Sequence, residues 1–324
     1  MQSSWPAVWC RLILEELTPT AWRDFNSISS ALIVVLSMQR QSPGSQRRHQ
    51  WQPTWTETMG SATKAMESAI KRAEIHGIGI VTANHSNHFG MAATYVLQAL
   101  DAGMISLVFT NSAKQMPAFG GKDTLLGTSP FAAGAPSKDE IPYILDMAPS
   151  VVAKGKIRKA AKRGEKIPLG WAYDENGKPT EDAEAALNGS MAPIGGPKGS
   201  GIAILMDIMS GVFSGAEFGG QVGDQYKEAR PHNVGHCFIA IKPDVFIGAD
   251  EFKSRMDTLL QRVHAVTPSE GFKEVLFPGE PEHRLSLERG KQGIPYADAE
   301  KKMFDELAEK YGVPVMALSL TPLS

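Results

Sequence analysis

The chain has 324 residues, 42% of them hydrophobic and 21% charged, with a formal net charge of −2. This is an ordinary globular composition, long enough for two domains or one large one. The charge excludes the basic footprint of a nucleic-acid binder, and two cysteines, Cys10 and Cys237, exclude a disulfide scaffold and fit a reducing, cytoplasmic compartment.

The longest apolar stretch, Gly201 to Val212, is too short to span a bilayer and carries Asp207, so no membrane partner is expected. The N-terminus lacks the basic and apolar regions of a signal peptide, and the two sequons at Asn84 and Asn188 are read as chance.

Five of the six tryptophans fall in the first 55 residues, and Gln39 to Gln52 is polar, basic and aperiodic. Ala31 to Met38 is a short apolar run of ambiguous type. Residues 1–58 therefore read as an atypical segment, with disorder as one reading, and residues 59–324 as a regular α/β body. Ser61 to Ile75 carries Ala62, Ala65, Met66, Ala69, Ile70 and Ala73 on one helical face and ends at Gly77. Gly77 to Ala83 predicts a strand, Met91 to Ala102 an amphipathic helix and Met104 to Thr110 a second strand, which together indicate α/β architecture.

A Gly/Pro-rich region, Phe119 to Pro136, leads to an apolar segment at Tyr143 to Met147, a helical pattern after Val151 and a turn-rich stretch from Gly170 to Gly196. Ile202 to Phe213 is apolar on every face, which predicts a helix buried all round. Val234 to Ile241 predicts a strand, Asp250 to Val263 a surface helix and Glu274 to Phe277 a strand-like run. The last helix, Asp298 to Tyr311, stops at Gly312, and there is no internal repeat.

The most informative stretch is Asn84-His85-Ser86-Asn87-His88-Phe89-Gly90, between a strand and a helix. Loops on such a scaffold are held rigidly yet remain reachable, and an imidazole moves its proton near neutral pH. His85 and His88 are too few for zinc without further ligands, so no metal is expected. There is no G-x-G-x-x-G after a strand and no P-loop. Gly195-Gly196-Pro197-Lys198-Gly199-Ser200-Gly201 leads into the apolar helix; it either binds a phosphate at a helix N-terminus or is a tight turn. Asp146 is either a helix N-cap or a ribose-hydroxyl acceptor, and Pro278-Gly279-Glu280 carries the same ambiguity. Ser86 beside two histidines suggests a hydrolase, but no G-x-S-x-G elbow is present.

From about Thr58 to Leu320 the chain resembles the malate/L-lactate dehydrogenase family of the non-Rossmann type. The resemblance rests on Ser86-Asn87-His88-Phe89-Gly90, Thr110-Asn111-Ser112, Phe119-Gly120-Gly121 and Leu126-Gly127-Thr128-Ser129-Pro130. It continues through Leu145-Asp146-Met147-Ala148, Lys154-Gly155-Lys156-Ile157, Ile167-Pro168-Leu169-Gly170-Trp171, Gly195-Gly196-Pro197-Lys198-Gly199, Val234-Gly235-His236 and Phe277-Pro278-Gly279-Glu280.

The resemblance implies an α/β, non-Rossmann dinucleotide-binding fold with a mixed sheet and flanking helices. It implies NAD or NADP as cofactor, a small 2-oxo or 2-hydroxy acid as substrate, and a homodimer. By the same resemblance, His88 is the general acid/base, and Ser112, Asp146, Met147, Ala148, Lys198, Pro278, Gly279 and Glu280 contact the dinucleotide. Asp174 is a candidate partner that orients His88. The family's N-terminal Ser-His-Gly…Arg motif, which holds the substrate carboxylate, is absent from residues 1–58. This departure gives the alternative reading: an impaired or inactive member that only binds dinucleotide or a partner.

Overall fold

The computed structural model describes residues 55–224, 230–296 and 298–312. The expectations for residues 1–54, among them the Ala31–Met38 run, lie outside the described residues. The chain divides between Arg262 and Val263 into two compact units.

The first unit is built on a five-stranded sheet. Its strands are β1 (Ile78–Ser86), β2 (Ile105–Thr110), β5 (Phe131–Ala135), β6 (Tyr143–Met147) and β9 (Val234–Ile241), in the order β1-β9-β2-β5-β6. Every neighbouring pair is antiparallel, where a mixed sheet was expected. The reason is the position of β9. β1 and β2 run the same way, joined by α2 (Ala93–Asp101) as in a βαβ unit, but β9 inserts between them and opposes both. The local β-α-β signal is therefore correct, and a distant segment converts its strand pairing.

Helices cover both faces. α1 (Trp55–His76) starts earlier than the expected Ser61, and Ala62, Ala65, Met66, Ala69, Ile70 and Ala73 are all buried, as the periodicity predicts. Gly77, at φ +83, ends it. α2 buries Tyr95, Val96 and Leu97, and Tyr95 meets Phe238 of β9 edge-on at 5.4 Å. On the opposite face Cys237 and Ile239 of β9 and Phe109 of β2 pack with Met206 of α5 (Pro197–Asp207).

A second apolar cluster unites two short ribbons, β3 (Lys114–Pro117) with β4 (Thr124–Gly127) and β7 (Ala172–Tyr173) with β8 (Ser190–Met191). α3 (Lys154–Arg163), α4 (Ala183–Asn188) and Ala203 of α5 complete it. α5 continues as a π-helical turn, Ile208–Val212.

The expectation that this helix is buried all round is corrected. Ala203 and Met206 are buried, but Ile204, Leu205 and Ile208 are exposed, Val212 is 54% exposed and Phe213 58%. The sheet covers one stripe only, and an apolar composition without period cannot say which stripe that is.

α6 (Ala249–His264) matches the expected surface helix. Its Asp257 carboxylate accepts the backbone N–H groups of Lys138, Asp139 and Glu140. The second unit holds α7 (Glu280–Gln292) and α8 (Asp298–Tyr311), the latter with the expected span. Glu274 to Phe277 forms no strand; Glu274 instead pairs with Arg284 of α7.

α1 lies on β1 at Gly79, where an added Cβ would sit 1.9 Å from the Ala69 carbonyl oxygen. Backbone cannot yield as a side chain can. Gly79→Ala is therefore expected to lower stability by about 1–3 kcal/mol through overpacking, measured by urea denaturation. An unchanged midpoint would mean that α1 is free to slide.

Candidate active site

Strand polarity decides where the chemistry can gather. β1, β2 and β6 run one way and β5 and β9 the other. The C-terminal ends of the first three therefore share one edge of the sheet with the N-terminal ends of the other two. That edge carries Asn84 to Gly90, Thr110 to Ser112, Asp146 to Ala148, Ser129-Pro130 and Val234 to His236. Five of the separate sequence motifs thus meet at one place.

The His88 loop is built from a deliberate irregularity. β1 continues past the expected Ala83, but its register with β9 breaks between Ala83 and Ser86. His85 sits there at φ +52, opposite Asn233 at φ +50. Non-glycine residues tolerate this left-handed region only when neighbours hold them there. The His85 N–H donates to Asn233 Oδ1 at 2.8 Å, and Asn84 Nδ2 donates to the Ser214 carbonyl at 2.8 Å. Side-chain hydrogen bonds thus replace the lost ladder bonds.

His88 follows the bulge. The Gly90 N–H donates to His88 Nδ1 at 3.0 Å, which assigns the proton of the neutral ring to Nε2. Gly90 adopts φ +87, a conformation that suits glycine. His88 keeps solvent-exposed surface, yet protein packed around the ring desolvates it and lowers its pKa to about 4. The Gly90 contact acts in the same direction, because it hydrogen-bonds only the neutral form.

Beneath the loop lies His236, 1% exposed. Its Nε2 lies 3.2 Å from the Asn87 carbonyl oxygen and its Nδ1 2.8 Å from Thr110 Oγ1. The ring stacks on Phe89 with centroids 4.3 Å apart and 5° between planes. Burial pushes its pKa down to about 3; the Asn87 carbonyl opposes this and the His88 charge adds to it.

Asn111 forms a second clamp. Its Oδ1 accepts the Gly235 N–H at 2.9 Å, and its Nδ2 donates to the Glu217 carbonyl at 2.7 Å and, more weakly, to Asp207. Asp207 Oδ2 accepts the Gly219 N–H at 2.7 Å, and burial raises this carboxyl's pKa against the two hydrogen bonds that lower it. The π turn packs on β9 at Gly235, where a Cβ would lie 1.8 Å from the Ser210 carbonyl oxygen.

Ser112 and the Asp146 segment lie on the same edge. Ser112 Oγ accepts the Ser129 N–H at 3.2 Å. Ser129 is fully buried and its hydroxyl has no partner among the described residues. Asp146 Oδ2 accepts the Ala93 N–H at 2.8 Å, capping the start of α2 from a distant strand. Asp146 is not itself the N-cap residue, which is Ala92, and it stays exposed. Beyond Met147 and Ala148, the Pro149 carbonyl accepts the Ile194 N–H at 2.8 Å, which brings this strand end beside the α5 N-terminus.

There Gly195 and Gly196 adopt φ +58 and +61, Pro197 opens the helix, and Lys198 is exposed. Gly199 packs so closely that a Cβ would lie 2.4 Å from the Ile194 carbonyl oxygen. A cavity of about 250 Å³ is lined by residues 117–122, Tyr173, Gly177, Ser190 and Pro193. Phe119 links it to the turn, 3.2 Å from where a Gly196 Cβ would be. His88 is not among its lining residues, so cavity and imidazole are separate features.

Pro278, Gly279 and Glu280 belong to the second compact unit. Glu280 accepts the Phe277 N–H at 3.0 Å and binds His264 Nε2 at 2.8 Å and Arg284. Burial works to raise its pKa, but these three bonds outweigh it and hold the carboxyl below its ordinary value. The expected link between Asp174 and His88 is corrected: Asp174 Oδ1 accepts the Asn176 and Lys178 N–H groups and shapes its own turn. A carboxylate followed by Asn-Gly is well suited to that local role. Among the described residues no three His, Cys, Asp or Glu side chains are grouped as a metal site requires.

In the sequence His236, Thr110 and Asn111 stand only within motif blocks, with nothing local that gives them a role. The available signal was a polar triplet ending one strand and a histidine opening another apolar strand.

The comparisons with known proteins agree with this architecture. The family model described as malate/L-lactate dehydrogenase matches residues 57–304. The L-sulfolactate dehydrogenase of Methanocaldococcus jannaschii is 41% identical over 246 residues, covering 76% of this chain and 70% of that protein. The NAD(+) ureidoglycolate dehydrogenase of Escherichia coli O157:H7 is 34% identical over 239 residues (74% and 68%). The NADP(+) (2R)-3-sulfolactate dehydrogenase of Chromohalobacter salexigens is 36% identical over 228 residues (70% and 66%). The solved structure of the M. jannaschii sulfolactate dehydrogenase superposes with a TM-score of 0.72 at 39% identity, covering 78% of this chain and 73% of that one. With the motifs meeting at one sheet edge and the match spanning nearly all described residues, the chain belongs to the malate/L-lactate dehydrogenase family.

Proposed function

We propose that this chain interconverts a 2-hydroxy acid and a 2-oxo acid with NAD or NADP, using His88 as the general acid/base. The observation that carries the reading is the position of His88 on a braced strand-to-helix loop, at the sheet edge that also bears Ser112 and Asp146. The relatives named for sulfolactate and ureidoglycolate support the substrate class, since both compounds carry a hydroxyl beside a carboxylate. Relatives named for NAD(+) and NADP(+) support either cofactor.

The residues present fit parts of a dinucleotide. The turn before α5 offers backbone N–H groups, the positive end of a helix and Lys198, which suit a phosphate. The buried Ser129 hydroxyl beside Ser112, without a partner among the described residues, is a hydrogen-bonding group that a bound polar ligand would satisfy. The cavity beside Phe119 takes part of such a molecule, not the whole. A bound nicotinamide ring supplies the hydride donor or acceptor; the chain supplies the proton.

His88 then has two tasks set by its protonation. The neutral ring, with its proton on Nε2, donates to a substrate carbonyl oxygen and polarises it. To act as an acid the ring must also gain a proton at Nδ1, which displaces the Gly90 N–H. An anionic substrate favours that charged form. Oxidation runs the reverse way: with the proton of the neutral ring on Nδ1 and the Gly90 N–H displaced, the bare Nε2 accepts the substrate hydroxyl proton.

With a 2-oxo acid and NADH or NADPH, His88→Ala is expected to lower kcat by about 10²–10⁴-fold while cofactor affinity, read by fluorescence titration, stays unchanged. Turnover equal to the parent chain would remove His88 from the chemistry. In the ligand-free protein the His88 ring should titrate near 4 by NMR, below the ordinary 6.5. It is then neutral at pH 7 and becomes charged as the pH falls through 4; titration at 6.5 or above would contradict the desolvated setting.

The homodimer belongs to the same reading, supported by the exposed apolar row of Ile204 on α5 and Ile208 and Val212 on the π-helical turn that continues it. Light scattering should give about twice the chain mass, and Ile208→Glu should shift it toward the monomer; a monomeric parent chain would contradict this.

A further inference from the structure

His236 occupies a place where a hydrophobic ring would be the simpler solution. It stacks on Phe89 and lies within 6.2 Å of the Phe238 ring, at 1% exposure. A phenylalanine would give the same stacking and volume without burying two ring nitrogens, and burying polar groups costs free energy unless they are bonded. What imidazole adds is two directed hydrogen bonds. A carbonyl oxygen can only accept, so the Nε2–H donates to the Asn87 carbonyl, and Nδ1 accepts from the Thr110 hydroxyl. One bond ends on β2; the other ends on the peptide that leads directly into His88.

We infer that His236 is a positioning residue: through Thr110 and the Asn87 carbonyl it fixes the His88 loop over the sheet edge. This rests on the reading of His88 as acid/base and extends it to a residue that touches no substrate. In the neutral ring the Thr110 hydroxyl donates to Nδ1; it also lies 3.2 Å from the Asn111 carbonyl oxygen and 3.3 Å from that of Gly235, so it keeps a partner in either role. Burial holds the ring neutral. The bonds therefore persist across the working pH range, and the loop stays fixed while His88 changes protonation.

The test compares His236→Phe, which keeps the stack and removes both bonds, with His236→Gln, whose side-chain amide can again donate to the Asn87 carbonyl. Thr110→Val removes the partner of Nδ1 alone. The readouts are melting temperature, kcat and KM for 2-oxo acid reduction, and the NMR titration of His88 in the ligand-free protein.

A folded His236→Phe protein should lose about tenfold or more in kcat, with KM for NADH or NADPH little changed. Its His88 titration should move up from about 4 toward 6.5. His236→Gln should recover part of both, and Thr110→Val should move both in the same direction as Phe. A folded Phe variant with kcat within about twofold of the parent and an unmoved His88 titration overturns the proposal. If His236→Phe does not fold, Thr110→Val decides by the same two readouts. The ring titration needs no substrate, so it judges the positioning role even if His88→Ala kept its turnover, a result that would remove the acid/base reading alone.

Discussion

The hydrogen bond from His236 to the Asn87 carbonyl joins the core of this protein to its candidate chemistry. Its donor sits on β9, the strand between β1 and β2, and its acceptor is the carbonyl of the peptide that leads into His88. Because the donor is a buried neutral ring held from its other side by Thr110, the bond has a fixed direction and is not competed for by water. A loop held only by exposed contacts would open locally at little cost. Here the His88 segment inherits the rigidity of β9 and β2.

That arrangement depends on the order of strands. β9 must lie between β1 and β2 for one side chain near its start to reach both neighbours. It can lie there because Gly79 lets α1 settle on β1, and Gly235 lets the π turn settle on β9. The same edge is closed from the other side by Asn111 and Asp207, which hold the Glu217–Gly219 segment by its backbone. Asp146 adds a third tie, from β6 to the start of α2. The ties from Asn111, Asp146 and His236 each cross a long stretch of sequence and end within a few residues of a motif that carries chemistry.

What could be read from the sequence follows the range of the forces involved. α1 was legible because Ala62 to Ala73 repeats with the helical period, and the His88 loop was legible as a polar, histidine-rich break between two apolar elements. Non-local facts were not. Nothing in Val234 to Ile241 says that this strand enters between β1 and β2, so the sheet was expected to be mixed. An apolar run such as Ile202 to Phe213 has no period to say which side is covered, and its exposed row was missed. Asp174 is a partner of His88 by resemblance alone, whereas its hydrogen bonds lie within its own turn. His236 was visible only as part of a motif, because its role lies in two partners far away in the chain.

On the proposed reading, the dinucleotide docks at the sheet edge bearing His88, Ser112 and Asp146. Hydrogen–deuterium exchange of the full chain, with and without saturating NADH or NADPH, maps binding along the backbone without requiring turnover. Docking there should slow exchange in peptides covering residues 86–93, 110–113, 146–148 and 195–200. Binding that protects other segments and leaves these four unchanged would contradict it.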